Sequence, residues 1–346
     1  MILEIIDKGS VVIIKIFSVS TIDLPSFDYL CSQKIDMQDR NFKGHAALFV
    51  AYVIFGLNTP IAKSVLEHGE ICSAMALTFY RLGGAAVLFW ALSLFTKKES
   101  VPFRDLLILF GAGFFGIFIN QLTFIVGLSH TSPIDASVIT TTGPIMTMIL
   151  AAFILKEPVT WKKALGVLVG AGGALLLILS SAETGNQHQT TIFGGVLCLL
   201  SSLSFSIYLT AFKKIILKYN PVTLMKWMFL FSTVCCLPFS WKDVVAVHYA
   251  VIPVNIYLRI IYVVALATFF AYLLVPVGQK LLRPTIVSMY NYIQPIVSSV
   301  VAVIVGMDRF GLVKGIAAAL VFLGVYIVTT SKSYAQLMAE KKTKIT

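Results

Sequence analysis

Long apolar stretches separated by short polar breaks recur along the chain from about residue 45 to residue 331. Each stretch is close to the roughly 20 residues that a helix needs to cross the hydrocarbon core of a bilayer. None shows the alternating pattern typical of a membrane β-strand. The pattern therefore predicts an all-α integral membrane protein with ten transmembrane helices, at residues 45–63, 73–95, 105–128, 133–155, 161–180, 192–212, 223–240, 256–278, 284–305 and 311–330.

Composition and charge placement agree with this prediction. The chain is 58% hydrophobic and 12% charged, whereas a soluble domain of 346 residues needs more polar surface. With a cytoplasmic N-terminus, most of the 27 Lys and Arg side chains lie on the cytoplasmic side, which is the positive-inside pattern. Both termini are then cytoplasmic, and the net charge of +11 indicates topology rather than a nucleic-acid partner. Five cations fall outside, namely Lys63, Lys242, Arg259, Arg309 and Lys314.

The sequence contains no recognisable catalytic motif. The five cysteines form no CxxC pair, and the five histidines lie at helix ends or in loops. No zinc-protease motif, phosphate-binding loop or Ser/His/Asp arrangement is present. We therefore expect no enzyme activity, no metal site and no cofactor.

Residues 1–43 read as an N-terminal cytoplasmic extension that differs from the rest. The apolar run at residues 11–22 is too short to span a bilayer and is interrupted by Lys15. It follows acidic residues and lacks the basic start of a secretory signal. We favour the hypothesis that residues 1–36 precede the true start at Met37; the alternative is an amphipathic or disordered arm on the membrane surface.

A duplication is visible when the chain is aligned with itself. The region from Gly127 onward matches residues 151 positions later without a gap, and the region near the start matches at an offset of 150. We call two residues related in this way repeat mates. The matched pairs include Gly44 with Gly194, Gly127 with Gly278, Pro133 with Pro284, Pro144 with Pro295 and Gly173 with Gly324.

The duplication predicts two five-helix repeats, residues 44–182 and 192–331, here called the first and second halves. Residues 183–191 form a periplasmic linker between them, and residues 332–346 form a basic cytoplasmic tail. Because each half has an odd number of spans, the second enters the membrane from the opposite side. This is an inverted-topology repeat, an architecture that suits a carrier able to open a central site to either side in turn.

Three stretches carry a family resemblance: "FGLNTPIAKS", "FYRLGGAA", and the segment from "GLSHTSPIDASVI" through "FILKEPVTWKK" to "GVLVGAGGALLL". The chain resembles the drug/metabolite transporter superfamily, specifically its ten-helix EamA-type permeases. One departure is "GMDRFG", where Asp308 replaces the usual glutamate and keeps the charge. The resemblance implies export or exchange of small metabolites across a bacterial cytoplasmic (inner) membrane, without ATP hydrolysis by the chain.

The fourth and ninth spans hold the matched prolines and a polar stripe beside them. Pro144 and Pro295 each remove a backbone donor and free a carbonyl about one turn earlier, so both are predicted helix hinges. Such a carbonyl must find a partner or face a wet cavity. The stripe predicts a substrate site, although the Ser and Thr hydroxyls can instead bond their own backbone. Its candidate binding residues are Thr140, Thr141, Tyr290, Asn291 and Gln294.

Other spans contribute polar residues near the predicted midplane. Asn120 and Gln121 are adjacent in the third span, and Tyr272 is the repeat mate of Gln121. Asn58 in the first span has Tyr208 in the sixth as its mate. Amide side chains at this depth need partners, which either substrate or helix packing can supply.

Two charged residues have competing interpretations. Arg81 lies well inside the second span, where it is either a counter-charge for a substrate carboxylate or phosphate, or snorkels to the outer surface. Asp135 follows Ser132 and Pro133, and the three read as a helix start rather than as a proton carrier.

Gly166 and Gly170 form a small-residue face for helix packing.

These observations favour a secondary transporter, most simply an exporter of a small polar or amphipathic metabolite such as an amino acid. A single intramembrane cation argues against phosphate-bearing substrates, so a carrier of nucleotide sugars or sugar phosphates is the weaker alternative. A non-transporting receptor or scaffold would need larger loops than this chain has. The expected partners are the small-molecule substrate and membrane lipid, and proton or ion coupling stays open.

Overall fold

The structure is a computed structural model whose chain divides into two compact units, Met1–Phe42 and Lys43–Thr346. The cavity and contacts that follow lie within the second unit. Pro284 and Asp308, which the sequence analysis discusses, lie outside the residues that the structure describes. The described residues are 24–69, 72–154, 160–182, 191–247, 252–282, 290–307 and 311–329.

All regular structure in the described ranges is helical. The chain starts with α1 (Leu24–Leu66), whose apolar part begins at Phe42. The helices that follow are α2 (Ala74–Ser93), α3 (Phe103–Ser129), α4 (Pro133–Thr140), α5 (Gly143–Ile154), α6 (Trp161–Ala182), α7 (Ile192–Ala211), α8 (Lys213–Lys218), α9 (Pro221–Ala246), α10 (Val254–Leu281), α11 (Ile293–Ile304) and α12 (Leu312–Thr329).

Six of the described helices are long and apolar enough to cross a bilayer: α1 from Phe42, α2, α3, α7, α9 and α10. They coincide with six of the ten spans that the sequence predicts. Shorter apolar stretches occupy Ala164–Leu176, Ile293–Ile304 and Leu312–Gly324. The chain is thus an all-helical protein built to span a membrane several times.

Side-chain caps explain where several of these helices begin. The hydroxyl of Ser73 accepts a hydrogen bond from the Ala76 backbone N–H at 3.1 Å, and Thr191 caps α7 in the same way. At α4, the Ser132 hydroxyl accepts from the Asp135 backbone N–H at 3.2 Å, with Pro133 as the first helical residue. The helix start predicted at Ser132 is confirmed.

Two of the long helices contain a π-helical segment, which the sequence did not reveal. In α3 it covers Phe114–Ile119, and in α10 it covers Tyr262–Phe270. Helix α2 packs against the segment in α10, and α9 packs against the segment in α3. The absence of side chains at Gly84 and Gly113 permits these approaches, because a Cβ there would meet Val264 and the Met228 backbone, respectively.

Helices α6 and α12 cross at glycines. A Cβ on Gly324 would lie 2.4 Å from the Gly170 nitrogen and 2.6 Å from the Gly166 carbonyl oxygen. The two backbones therefore touch, which confirms the packing role predicted for Gly166 and Gly170. Within the membrane, such small-residue contacts replace the hydrophobic effect as a source of helix association.

We expect Gly324→Ala to destabilise the protein by roughly 1–3 kcal/mol, the usual cost of overpacking. No flexible side chain can yield at this crossing, so the helices must separate. Thermal unfolding of the purified protein in detergent measures the effect. Gly172→Ala is the matched control, because a Cβ there has no neighbour within 4 Å. Equal unfolding temperatures for the two variants would contradict this account of the crossing.

Candidate functional site

The predicted hinge at Pro144 is a complete break between two helices. Helix α4 ends at Thr140, Thr141 and Thr142 form a turn, and α5 resumes at Gly143 with Pro144 as its second residue. In the second half, a 3₁₀ turn at Tyr290–Tyr292 leads into α11, with Pro295 in its first turn. Both prolines therefore lie where a helix restarts, a position at which a missing N–H costs little.

The threonine hydroxyls at this break bond to their own backbone. Thr140, Thr141 and Thr142 donate to the carbonyls three residues earlier at 2.6–2.9 Å. The freed carbonyl of Thr140 accepts a hydrogen bond from the Ser202 hydroxyl at 3.3 Å. Ser206 donates in the same way to the carbonyl of Gly143 at 3.0 Å. Each serine of α7 also lies within hydrogen-bond distance of a carbonyl of its own helix, so it shares one proton between that carbonyl and the one that the break exposes.

Beside this break lies a cavity of about 110 Å³, lined by both halves. This volume is below the roughly 150 Å³ of a cavity that takes up benzene, so the cavity as it stands suits only a small ligand. Most residues predicted for a substrate site line it: Asn58, Arg81, Asn120, Gln121, Thr140, Tyr208, Tyr272, Asn291 and Gln294.

Two predicted residues do not line the cavity. Thr141 is buried, with its hydroxyl bonded to the carbonyl of Val138. Tyr290 lies behind the wall: its hydroxyl is 2.7 Å from His45 Nδ1, and its ring stacks on that of Tyr52 at 6.5 Å.

Sequence reasoning missed several lining residues. Tyr52 and Phe55 line the cavity, and so do Ser202 and Phe205, their repeat mates. The one sequence signal that these four residues share is the repeat offset of 150, which relates Tyr52 to Ser202 and Phe55 to Phe205. Ser201, Met225 and Met228 carry no such signal, because their mates lie outside the lining.

A hydrogen-bond chain fixes the amide groups of the cavity. Asn120 Nδ2 donates to the Ser201 backbone carbonyl at 3.0 Å, and a carbonyl can only accept, so Asn120 Oδ1 faces the other way. That oxygen accepts from Gln121 Nε2 at 3.0 Å, and the same nitrogen bonds the Tyr272 hydroxyl. The chain leaves Gln121 Oε1 as a buried acceptor without a partner in the described residues.

Arg81 is directed inward and does not snorkel to the surface. Its side chain is 2% exposed, and Nε donates to the Thr268 hydroxyl at 3.0 Å. Its Nη1 atom makes no hydrogen bond to any of the described residues. A buried cation in this state is costly unless a counter-charge or water reaches it.

Four lining residues therefore hold buried polar atoms without a hydrogen-bond partner in the described part of the chain. These atoms are Asn58 Oδ1, Arg81 Nη1, Gln121 Oε1 and the Tyr208 hydroxyl. Each such group costs about 1–3 kcal/mol if nothing pairs with it. All four residues line the same cavity, so unsatisfied hydrogen-bonding groups are gathered around it.

Charged residues join the two halves at both ends of α3. Near its C-terminus, Lys314 Nζ lies 3.3 Å from the carboxylate of Asp135, which is 1% exposed. Lys63 caps α3 there by donating to the carbonyls of Leu128 and Ser129 at 3.0 and 3.1 Å. Lys63 and Lys314, two cations that the charge pattern assigns to the non-cytoplasmic side, thus have structural partners, and Asp135 does more than begin a helix.

At the other end of α3, Asp105 accepts hydrogen bonds from Lys218 and Tyr219. Its hydrogen bond to Asp105 raises the pKa of Lys218. The pKa of Tyr219 is raised first by burial and then by its own hydrogen bond to Asp105. Glu99 accepts two further bonds from Asn220, at 3.0 and 2.6 Å. These contacts fix the connection between α8 and α9 against the first half.

Several proteins with similar sequences are named as transporters. An uncharacterized transporter of Bacillus subtilis, YetK, is 21% identical over 302 residues, covering 86% of this chain and 91% of the relative. An uncharacterized transporter of Archaeoglobus fulgidus is 26% identical, covering 75% and 90%. An S-adenosylmethionine uptake transporter of Rickettsia bellii is 23% identical, covering 60% and 65%.

A solved crystal structure shares the fold, with a TM-score of 0.54 at 17% identity, covering 84% of this chain and 97% of that one. The family model of EamA-like transporters matches the chain twice, at residues 42–179 and 192–330. Together these matches cover most of the sequence and confirm the resemblance seen in its motifs. This multi-pass membrane protein belongs to the EamA-like transporter family, within the drug/metabolite transporter superfamily.

Proposed function

We propose that the protein is a secondary transporter that moves a small polar or amphipathic metabolite, such as an amino acid, by alternating access. The substrate occupies the cavity between the halves, and the two halves exchange conformations around it. The observation that carries the proposal is that four of the residues lining this cavity each hold a buried polar atom without a hydrogen-bond partner in the described part of the chain. A merely structural cavity in a membrane protein would have an apolar or internally satisfied lining.

Exchanged contacts between the halves support an inverted repeat of ten spans. Gly127 packs against Cys198, while its mate Gly278 packs against Leu48, the mate of Cys198. Likewise, Gly194 packs against His130 and Thr131, and its mate Gly44 against Leu281 and Leu282, the mates of those two residues. Each of these two contacts thus has a counterpart with the halves swapped, as a two-fold relationship requires.

The cavity lies where such an axis would pass. Seven pairs of repeat mates line it: Tyr52 and Ser202, Phe55 and Phe205, Asn58 and Tyr208, Gln121 and Tyr272, Phe124 and Val275, Thr140 and Asn291, and Gly143 and Gln294. A site shared in this way can be exposed to one side or the other by equivalent motions of the halves. This geometry supports alternating access around a fixed central site.

The chemistry of the lining favours a small zwitterionic or singly anionic substrate. Arg81 is the one cation among the lining residues, and it suits one carboxylate rather than a diphosphate. The unpartnered acceptors Asn58 Oδ1 and Gln121 Oε1 suit N–H or O–H donors at the other end of the molecule. S-adenosylmethionine, the substrate in the name of the Rickettsia relative, carries an amino-acid group of this kind but is larger than the cavity, so it tests the size limit of the site in the substrate panel.

We further propose export across a bacterial inner membrane, with both termini cytoplasmic. The bias of Lys and Arg toward one set of loops supports this orientation. Inside-out membrane vesicles then convert export into uptake, which can be measured with labelled amino acids and S-adenosylmethionine.

In that assay, we expect saturable uptake by the wild type and a loss of at least tenfold in Gln121→Leu, which removes the unpartnered acceptor. Asn255→Ala, an exposed amide outside the cavity, is the matched control and should transport normally. Uptake no greater than in empty vesicles would refute a carrier of these substrates. Normal uptake by Gln121→Leu would refute the location of the site.

A further inference from the structure

The hydroxyl of Thr268, on α10, is held in one orientation. It is fully buried and donates its proton to the carbonyl of Val263 at 2.7 Å. Because a hydroxyl has one proton, the oxygen can act toward any other group only as an acceptor. Arg81 Nε uses that acceptor at 3.0 Å. The bond to Val263 therefore aims the lone pair of Thr268 at Arg81.

The π-helical segment of α10 makes this arrangement possible. The carbonyl that accepts from Thr268 lies five residues earlier, at the spacing of a π-helical turn. An α-helical register would turn Thr268 away by about 100°, the rotation of one residue. Helix α2 approaches the same segment at Gly84, one turn beyond Arg81 on the same face. The segment and α2 thus hold the two side chains in register.

This contact determines where the rest of the guanidinium points. The group is planar, so fixing Nε fixes the plane and the directions of the other nitrogens. Arg81 Nη1 is buried without a hydrogen-bond partner among the described residues, and Arg81 lines the cavity. A carboxylate entering the cavity would meet a donor whose direction is already set, which lowers the ordering cost of binding.

We propose that Thr268 is a positioning residue that orients Arg81 toward the cavity and so makes the site selective for a substrate carboxylate. The proposal rests on the proposed function for the role of the cavity. Thr268 itself does not line the cavity, and it acts through Arg81 alone.

Acetate is a probe that tests the proposal without knowledge of the substrate. The purified protein, labelled with ¹⁵Nε-arginine, is titrated with acetate, and acetamide of the same shape serves as the uncharged control. The chain has six arginines, so the Arg81 signal can be assigned as the one missing in Arg81→Lys. We expect acetate to shift the Arg81 signal saturably and acetamide to leave it unchanged.

Variants at Thr268 separate positioning from simple packing. Thr268→Val keeps the shape and removes the hydroxyl, and it should weaken acetate binding by roughly tenfold or more, the effect of one hydrogen bond to a charged group. Thr268→Ser restores the hydroxyl and should bind acetate like the wild type. Thr78→Val is the control, since Thr78 is a buried threonine of α2 that bonds its own helix at the Ala74 carbonyl.

Equal acetate affinity in Thr268→Val and wild type, or no acetate-dependent shift of Arg81, would overturn the proposal. Weakened binding in Thr78→Val to the same extent would also overturn it, because the effect would then be one of packing. Acetate binding does not depend on transport. A positive titration with no vesicle uptake would therefore refute the proposed function and leave the orientation of Arg81 by Thr268 in place.

Discussion

Arg81→Gln is expected to lower transport at least about 100-fold, the largest functional effect of any single substitution in the cavity. Glutamine keeps hydrogen-bonding capacity but loses the charge that a substrate carboxylate would meet at Nη1. The kinetic constants of vesicle uptake measure the loss. Arg104→Gln, an exposed arginine beside the start of α3, is the matched control and should leave transport unchanged.

Stability should move independently of transport in this variant. A buried guanidinium without a carboxylate partner costs roughly 2.5–3.5 kcal/mol on membrane insertion scales. Its removal is therefore expected to leave the unfolding temperature unchanged or raised, the usual signature of a functional residue kept at a cost. A variant that loses transport because it unfolds at a lower temperature would contradict this role for Arg81.

Lys314→Met is expected to destabilise the fold by about 1.5–3 kcal/mol, the usual contribution of a hydrogen bond to a charged group, because it removes the ammonium beside the buried Asp135 carboxylate. Asp135 is 1% exposed, and its carboxylate would lose the ammonium 3.3 Å away. Thermal unfolding in detergent measures the effect, with the exposed Lys162→Met on α6 as the control.

The double variant Asp135→Asn/Lys314→Met should recover most of this stability, because both charges are then gone. Asparagine at position 135 leaves the cap of α4 intact, since that cap is a bond from the backbone N–H to Ser132. If Lys314→Met unfolds at the wild-type temperature, the pair does not hold the halves together.

Local features of the fold could be predicted because their causes are local in sequence. Apolar runs of bilayer length predict the long helices, and the Ser132–Pro133 start follows from capping chemistry. The proline at 144 predicts a hinge, since its missing N–H acts within one turn, although the structure has a complete break there. The duplication also allowed some positions that are distant in sequence to be paired, such as Gln121 and its repeat mate Tyr272, which both line the cavity.

Features that depend on contacts between distant helices could not be predicted. The π-helical segments carry no residue signature, and the registers that they set bring Arg81 to Thr268, 187 positions away. Lys63 and Lys314 were assigned to the outside by a rule that counts charges and does not consider their partners. The orientation of Gln121 depends on Asn120 and Ser201 together, a network that no single position reveals.

Accessibility of a cysteine in the cavity from both sides of the membrane tests alternating access most directly. Gly143→Cys, in a background lacking the five native cysteines, places a thiol where the nearest atom to a Cβ is Asn291 Nδ2 at 3.9 Å. An impermeant thiol reagent is applied to right-side-out and to inside-out vesicles. We expect reaction from both sides, slowed in both cases by substrate. Reaction from one side only, or reaction unaffected by a transported substrate, would contradict a central site with alternating access.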